Sequence, residues 1–210
     1  MTRSDWLKQA LVIPLPEDDA LALDGCRRLM GPNLYHPHPG AVGDALCPGY
    51  EVATVQHLWA VQVQRLIDGL DWTGVAMVER PFEGGISLFI TAPVDRLFTA
   101  AYVIEAAWYF CAMALLGDEA MPIEAMLAEL QKIESHEANP QLRALVAEAE
   151  ARGLDRLLDD DAVTFGHGKG AVTWETEALP AVPDWAGVQD IPLALVTGTN
   201  GKTTTTRLIA

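Results

Sequence analysis

Basic residues are scarce in this chain: 14 lysines and arginines stand against 29 aspartates and glutamates, giving a formal net charge of −15 over 210 residues. A surface this acidic repels polyphosphate backbones, which argues against nucleic acid as a partner. Cysteine is also rare. Cys26, Cys47 and Cys111 show no C-x-x-C spacing and no even count, so no disulfide framework is expected, and the usage fits a reducing cytoplasm. The opening MTRSDWLKQALVIPLPEDD has too short an apolar stretch for a secretory signal and runs into prolines and acids. The most apolar segment, residues 100–116, sits at the lower edge of membrane-span length and contains Glu105, so a buried core helix is expected and no membrane partner. Internal repeats and low-complexity tracts are lacking. What remains, 50% hydrophobic and 20% charged, is a globular composition.

Apolar residues recur at steps of three and four through Val52, Val55, Trp59, Val63, Leu66 and Leu70, which predicts an amphipathic helix over 51–70. The runs GVAMVE (74–79) and ISLFIT (86–91), joined by RPFEGG, predict an antiparallel hairpin. Asp95 is placed to cap a long helix that Gly117 ends. A further helix over 122–135 starts with Pro122 at its first position and buries Ile123, Met126, Leu127, Leu130 and Ile133. Asn139-Pro140 opens another, ended by Gly153. VTFGHGKGAVTW (163–174) reads as strand, glycine-rich turn, strand. Residues 20–50 read as an irregular loop after a strand, and 175–190, with prolines, acids and no periodicity, as a linker. The expected plan is a 1–19 extension, an α+β domain over 20–174 with helices packed on a small, mostly antiparallel sheet, the linker, and at 191–210 the strand, phosphate loop and helix that open an α/β domain.

That last stretch, IPLALVTGTNGKTTTTRLIA, carries the clearest chemistry. Phosphates need converging backbone N–H groups without bulky side chains in the way, and the following helix N-terminus adds its dipole. Gly198 and Gly201 would allow the tight turn, with Thr199 and Asn200 between them. Lys202 would reach the β- and γ-phosphates, the Thr203 hydroxyl would ligate Mg²⁺, and Thr204 would close the loop. The general pattern G-x-x-x-x-G-K-[ST] would put its first glycine at Val196, so the loop is a shortened form.

TGTNGKTTT resembles the phosphate loop of the Mur ligase family, ATP-dependent enzymes that join a carboxylate to an amine. Within it, residues 191–210 look most like the corresponding stretch of the cyanophycin synthetases. GPNLY (31–35), the 51–70 helix, LAELQKIESHEANPQLRALVAEAEARGL (127–154) and TFGHG (164–168) follow the order of their N-terminal domain. The resemblance implies ATP and Mg²⁺ as cofactors, an acyl phosphate intermediate, and an amino acid or peptide/polyamide substrate; a homo-oligomer is one further option. It implies a substrate-presenting role for the N-terminal domain. The chain is expected to be a fragment of such a ligase, inactive alone because the remaining Mur machinery lies downstream. The competing readings are a non-catalytic binding or assembly domain and a regulatory pseudo-ligase.

The chain departs from those ligases twice. Their ATP-grasp domain has no room in the 16 or so residues of the expected linker. Where some members carry an H-x-x-E-H metal motif, the aligned positions are Thr54, His57 and Leu58, so no metal is expected there. His36 and His38 read as a surface loop, His57 as a helix-face residue, His167 as part of a hairpin turn, and the acids of LLDDDA (157–162) as a solvated run.

Overall fold

The computed structural model describes residues 3–192 and 196–209. In chain order the elements are α1 (Arg3–Leu7), β1 (Ala22–Leu29), β2 (Gly40–Leu46), α2 (Val52–Gly69), β3 (Met77–Phe82), β4 (Gly85–Thr91), α3 (Leu97–Leu116), α4 (Ile123–Glu137), α5 (Pro140–Ala151), β5 (Arg156–Leu158), β6 (Ala162–Phe165), β7 (Val172–Glu175) and α6 (Lys202–Ile209). They form two antiparallel sheets, one ordered β1-β2-β4-β3 and the other β5-β6-β7. The α+β class and antiparallel pairing agree with expectation, whereas the single sheet becomes two.

β2 is the main departure from the sequence reading. Its GAVGDAL looks like loop, yet it is a central strand paired on both sides. The small residues serve close approach. A β-carbon on Gly43 would lie 2.5 Å from Ile104 Cγ2 of α3 and 3.2 Å from the Trp59 ring of α2, so only glycine lets the helices settle there. Ala41 and Ala45 share that face with Ile86, Leu88 and Ile90 of β4, and all five are buried in the main core. On the other face Phe89 is covered by the loop after β1, where Tyr35 stacks on it at 5.5 Å.

α3 is apolar all round because it is enclosed all round. It is long and apolar enough to cross a membrane, but two-thirds of its most apolar window is buried against β1, β2, α2 and α4. Trp59 donates from Nε1 to the Ile104 carbonyl at 3.1 Å, and its ring meets Trp108 edge-on. Gly117, at φ 75°, ends the helix in the left-handed conformation. The expected 1–19 extension contributes to the same core: Leu7 and Ile13 are buried, and Tyr102 donates to the Leu7 carbonyl.

The cap of α3 comes from elsewhere than the sequence suggests. Asp95 does not cap it. The Glu137 carboxylate, at the end of α4, accepts from Phe98 N (2.7 Å), Thr99 N (2.8 Å) and Thr99 Oγ1 (2.7 Å), satisfying the free N–H groups of the first turn. Burial pushes the Glu137 carboxyl up, opposed by these hydrogen bonds. Asp95, with its side chain fully buried, instead accepts from Asn139 N and from Arg143 Nε and Nη2, pinning the start of α5. Asn139 caps α5 through Leu142 N as expected, while Pro122 precedes α4 rather than opening it, and Ile123 and Leu127 are only half-buried.

α5 lays Leu142, Leu145, Val146 and Ala149 on Val163 and Phe165 of the second sheet. Residues 176–192 hold no helix or strand, but they are no free linker. Trp185 packs edge-on to Phe165 and Trp174 and donates to Glu148 at 2.8 Å. Replacing Glu137 by Ala strips the α3 cap and leaves two amides unpaired, and is expected to cost about 2–3 kcal/mol; chemical denaturation checks this, and a loss within about 0.5 kcal/mol would contradict it.

Candidate functional site

The expected nucleotide-binding residues Gly198, Thr199, Asn200, Gly201, Lys202, Thr203 and Thr204 form one turn running into α6. Gly198 (φ 141°) and Gly201 (φ 81°) take conformations that side chains disfavour. Thr205 N donates to the Gly201 carbonyl at 2.9 Å, which starts the helix, and Thr206 Oγ1 donates to the Lys202 carbonyl at 2.9 Å. The Lys202 ammonium folds back onto the Gly198 carbonyl, so the loop's cation lies over its own backbone. Lys202, Thr203 and every other described residue of α6 are exposed.

No other described element contributes a residue to this loop. The strand expected over 191–197 falls largely on residues 193–195, outside the described residues; Ile191, Pro192, Val196 and Thr197 carry no strand pairing. The turn brings Gly198, Gly201, Lys202 and the Thr203 hydroxyl together in one exposed segment.

A concave feature lies where the two cores meet. A cavity of about 400 Å³ is bounded by Ser4, Arg28, Phe98, Asn139, Asp160 and Thr176, among others. Arg28 stacks over the Phe98 ring at 3.6 Å and reaches Asp160 at 2.8 Å, which also takes Lys8 at 2.7 Å. The acidic run is thus only partly solvated. Asp159 folds it by accepting from the Asp161 and Ala162 amides, and Asp160 grips two cations. Burial alone would raise the Asp160 pKa, but Arg28 and Lys8 outweigh it and hold it at about 2. No sequence pattern marks this pairing, because Lys8, Arg28 and Asp160 lie on three distant segments.

The histidines sort differently. His36 and His38 sit ring to ring in the loop after β1, and His57 lies on the exposed side of α2. His167, in the turn between β6 and β7, is buried and meets Asp190 at 2.9 Å through Nδ1. The turn reading holds. The contact with Asp190 was not legible, since 22 residues separate the two.

No protein-family model matches the chain, and no curated protein matches it. Because the folded-state pKa of Asp160 is depressed, its contribution to stability is present above the ordinary carboxylate value of 3.8 and is lost as pH falls toward about 2. Asp160→Asn is therefore expected to lower stability at pH 7 by roughly 1 kcal/mol, after screening at the half-exposed Lys8, and to bring a clearly smaller penalty at pH 2, where the folded-state carboxyl is about half protonated. Denaturation at both pH values checks this; an equal loss at both would contradict it.

Proposed function

We propose that the chain belongs to an ATP-dependent ligase that joins a carboxylate to an amine, of the kind its GTNGKTT loop resembles. Residues 198–204 receive the nucleotide phosphates, and the α+β body presents the amino acid or polyamide substrate. The observation that carries this reading is the loop itself: two glycines at positive φ, then Lys202 and Thr203 opening a helix. Converging amides and a helix dipole favour an anion, and the lysine and threonine add a point charge and a metal-binding hydroxyl. Bound Mg²⁺-ATP would supply an activated γ-phosphoryl group for transfer to the carboxylate. Lys202 would leave the Gly198 carbonyl to pair with the phosphates, and the Thr203 hydroxyl would face the metal.

The body supports a presenting role through the cavity beside Arg28 and Asp160, where both signs of charge line one space, as a zwitterionic ligand requires. A cytoplasmic setting and a second copy of the chain as partner belong to the same proposal.

The exposed loop, receiving nothing from the rest of the described structure, sets the strength of binding. Titration of the chain with ATP and Mg²⁺, followed by phosphorus NMR, is expected to broaden the β- and γ-phosphate resonances with a Kd no tighter than millimolar. The broadening should need Mg²⁺ and vanish in Lys202→Ala. Broadening that survives Lys202→Ala, or none at all, would overturn the assignment of the loop.

A further inference from the structure

Asp155, His167 and Asp190 bring one ligand atom each to within 4.8 Å of one another. His167 Nδ1 lies 2.9 Å from Asp190 Oδ1 and 4.0 Å from Asp155 Oδ2, so two carboxylates converge on one imidazole nitrogen. Among the described residues, neither carboxylate pairs with a lysine or arginine. Two like charges held this close to a single nitrogen repel each other unless a cation lies between them.

The backbone builds this arrangement rather than leaving it to flexible side chains. Asp190 Oδ2 accepts from Asp155 N at 2.8 Å, which aims the other oxygen at His167 and lowers the Asp190 pKa. His167 N donates to the Gln189 carbonyl, Gln189 N donates to the Gly170 carbonyl, and Gly166 N donates to the Asp155 carbonyl. The glycines of TFGHGKG make the approach possible. A β-carbon on Gly166 would lie 2.7 Å from the Gln189 carbonyl oxygen, one on Gly168 would lie 2.6 Å from Ile191 Cδ1, and one on Gly170 would collide with Gln189. Segment 188–191 is therefore seated in a glycine trough with its carboxylate beside a buried histidine.

We propose that Asp155, His167 and Asp190 form a divalent metal site, with zinc the ion that suits one imidazole nitrogen and two carboxylate oxygens. Ligand distances of about 2.0–2.2 Å need the exposed Asp155 side chain to move inward and the His167–Asp190 pair to open by roughly half an ångström, and water completes the tetrahedron. The ion takes the place of the hydrogen between Nδ1 and Oδ1, and the imidazole binds as the neutral ring with its proton on Nε2. Asp190 Oδ2 keeps its bond to the Asp155 amide, the outer contact that orients a ligating carboxylate. The bound ion clips residues 188–190 to the second sheet, upstream of the phosphate loop. The site does not rest on the nucleotide reading and stands or falls separately from it.

The test uses the full chain, stripped with a chelator and titrated with zinc chloride by calorimetry, with thermal melts of the free and loaded protein. The expected result is one equivalent bound with a Kd in the micromolar range and a rise in Tm on loading. Asp155→Asn removes only an exposed side chain, so its metal-free Tm should match the parent while its zinc affinity falls about tenfold or more. Cobalt substituted for zinc should give visible absorption bands in the parent that are lost in His167→Gln. Absence of binding at micromolar zinc would overturn the proposal, as would binding that Asp155→Asn leaves unchanged, including binding by the cysteines.

Discussion

Two buried carboxylates, Glu137 and Asp95, hold this molecule together at the point where its two cores meet. Glu137 closes the N-terminus of the central helix α3, and Asp95, just before that helix, fixes Asn139 and Arg143 at the start of α5. Between them they set where α4 ends, where α5 begins, and therefore where the second sheet lies against the first. Each is buried, so each must be fully hydrogen-bonded to be tolerated. The cavity lined by Arg28, Phe98 and Asn139 exists because this junction leaves a gap beside it.

From the junction outward, the second core depends on α5. Its apolar face receives Val163 and Phe165, and Trp185 returns from the irregular segment 176–192 to complete a cluster of aromatic rings. That return brings Asp190 to His167. Further along the chain, residues 198–201 and α6 stand exposed. The packed body and the exposed C-terminal turn are thus separated along the chain, and the seat of residues 188–191 is the last described anchorage before that turn.

The helices were legible because their cores repeat at three and four residues: Val55, Trp59, Val63 and Leu66 are buried as the spacing requires. Asn139-Pro140 and Gly117 marked helix ends for local reasons, and local reasons are readable. β2 was not legible, because glycine and alanine chosen for the approach of Ile104 and Trp59 mimic a loop. The cap of α3 escaped because the accepting carboxylate lies 38 or 39 residues away on another helix. Residues 175–190 resembled a linker since prolines prevent periodicity, yet Leu179, Trp185 and Val188 pack against the second core. The proposed phosphate loop rests on consecutive residues, 198–204, whereas the Asp155–His167–Asp190 cluster exists only in three dimensions.

The separation between folded body and exposed loop is the central claim, and hydrogen–deuterium exchange measures it directly. Amides at the start of α3 and in α5 and β6 should exchange slowly, while those of α6 should exchange at rates close to an unprotected peptide, since an eight-residue helix without packing is marginal in water. Protection in α6 comparable to that in α3 would contradict the account.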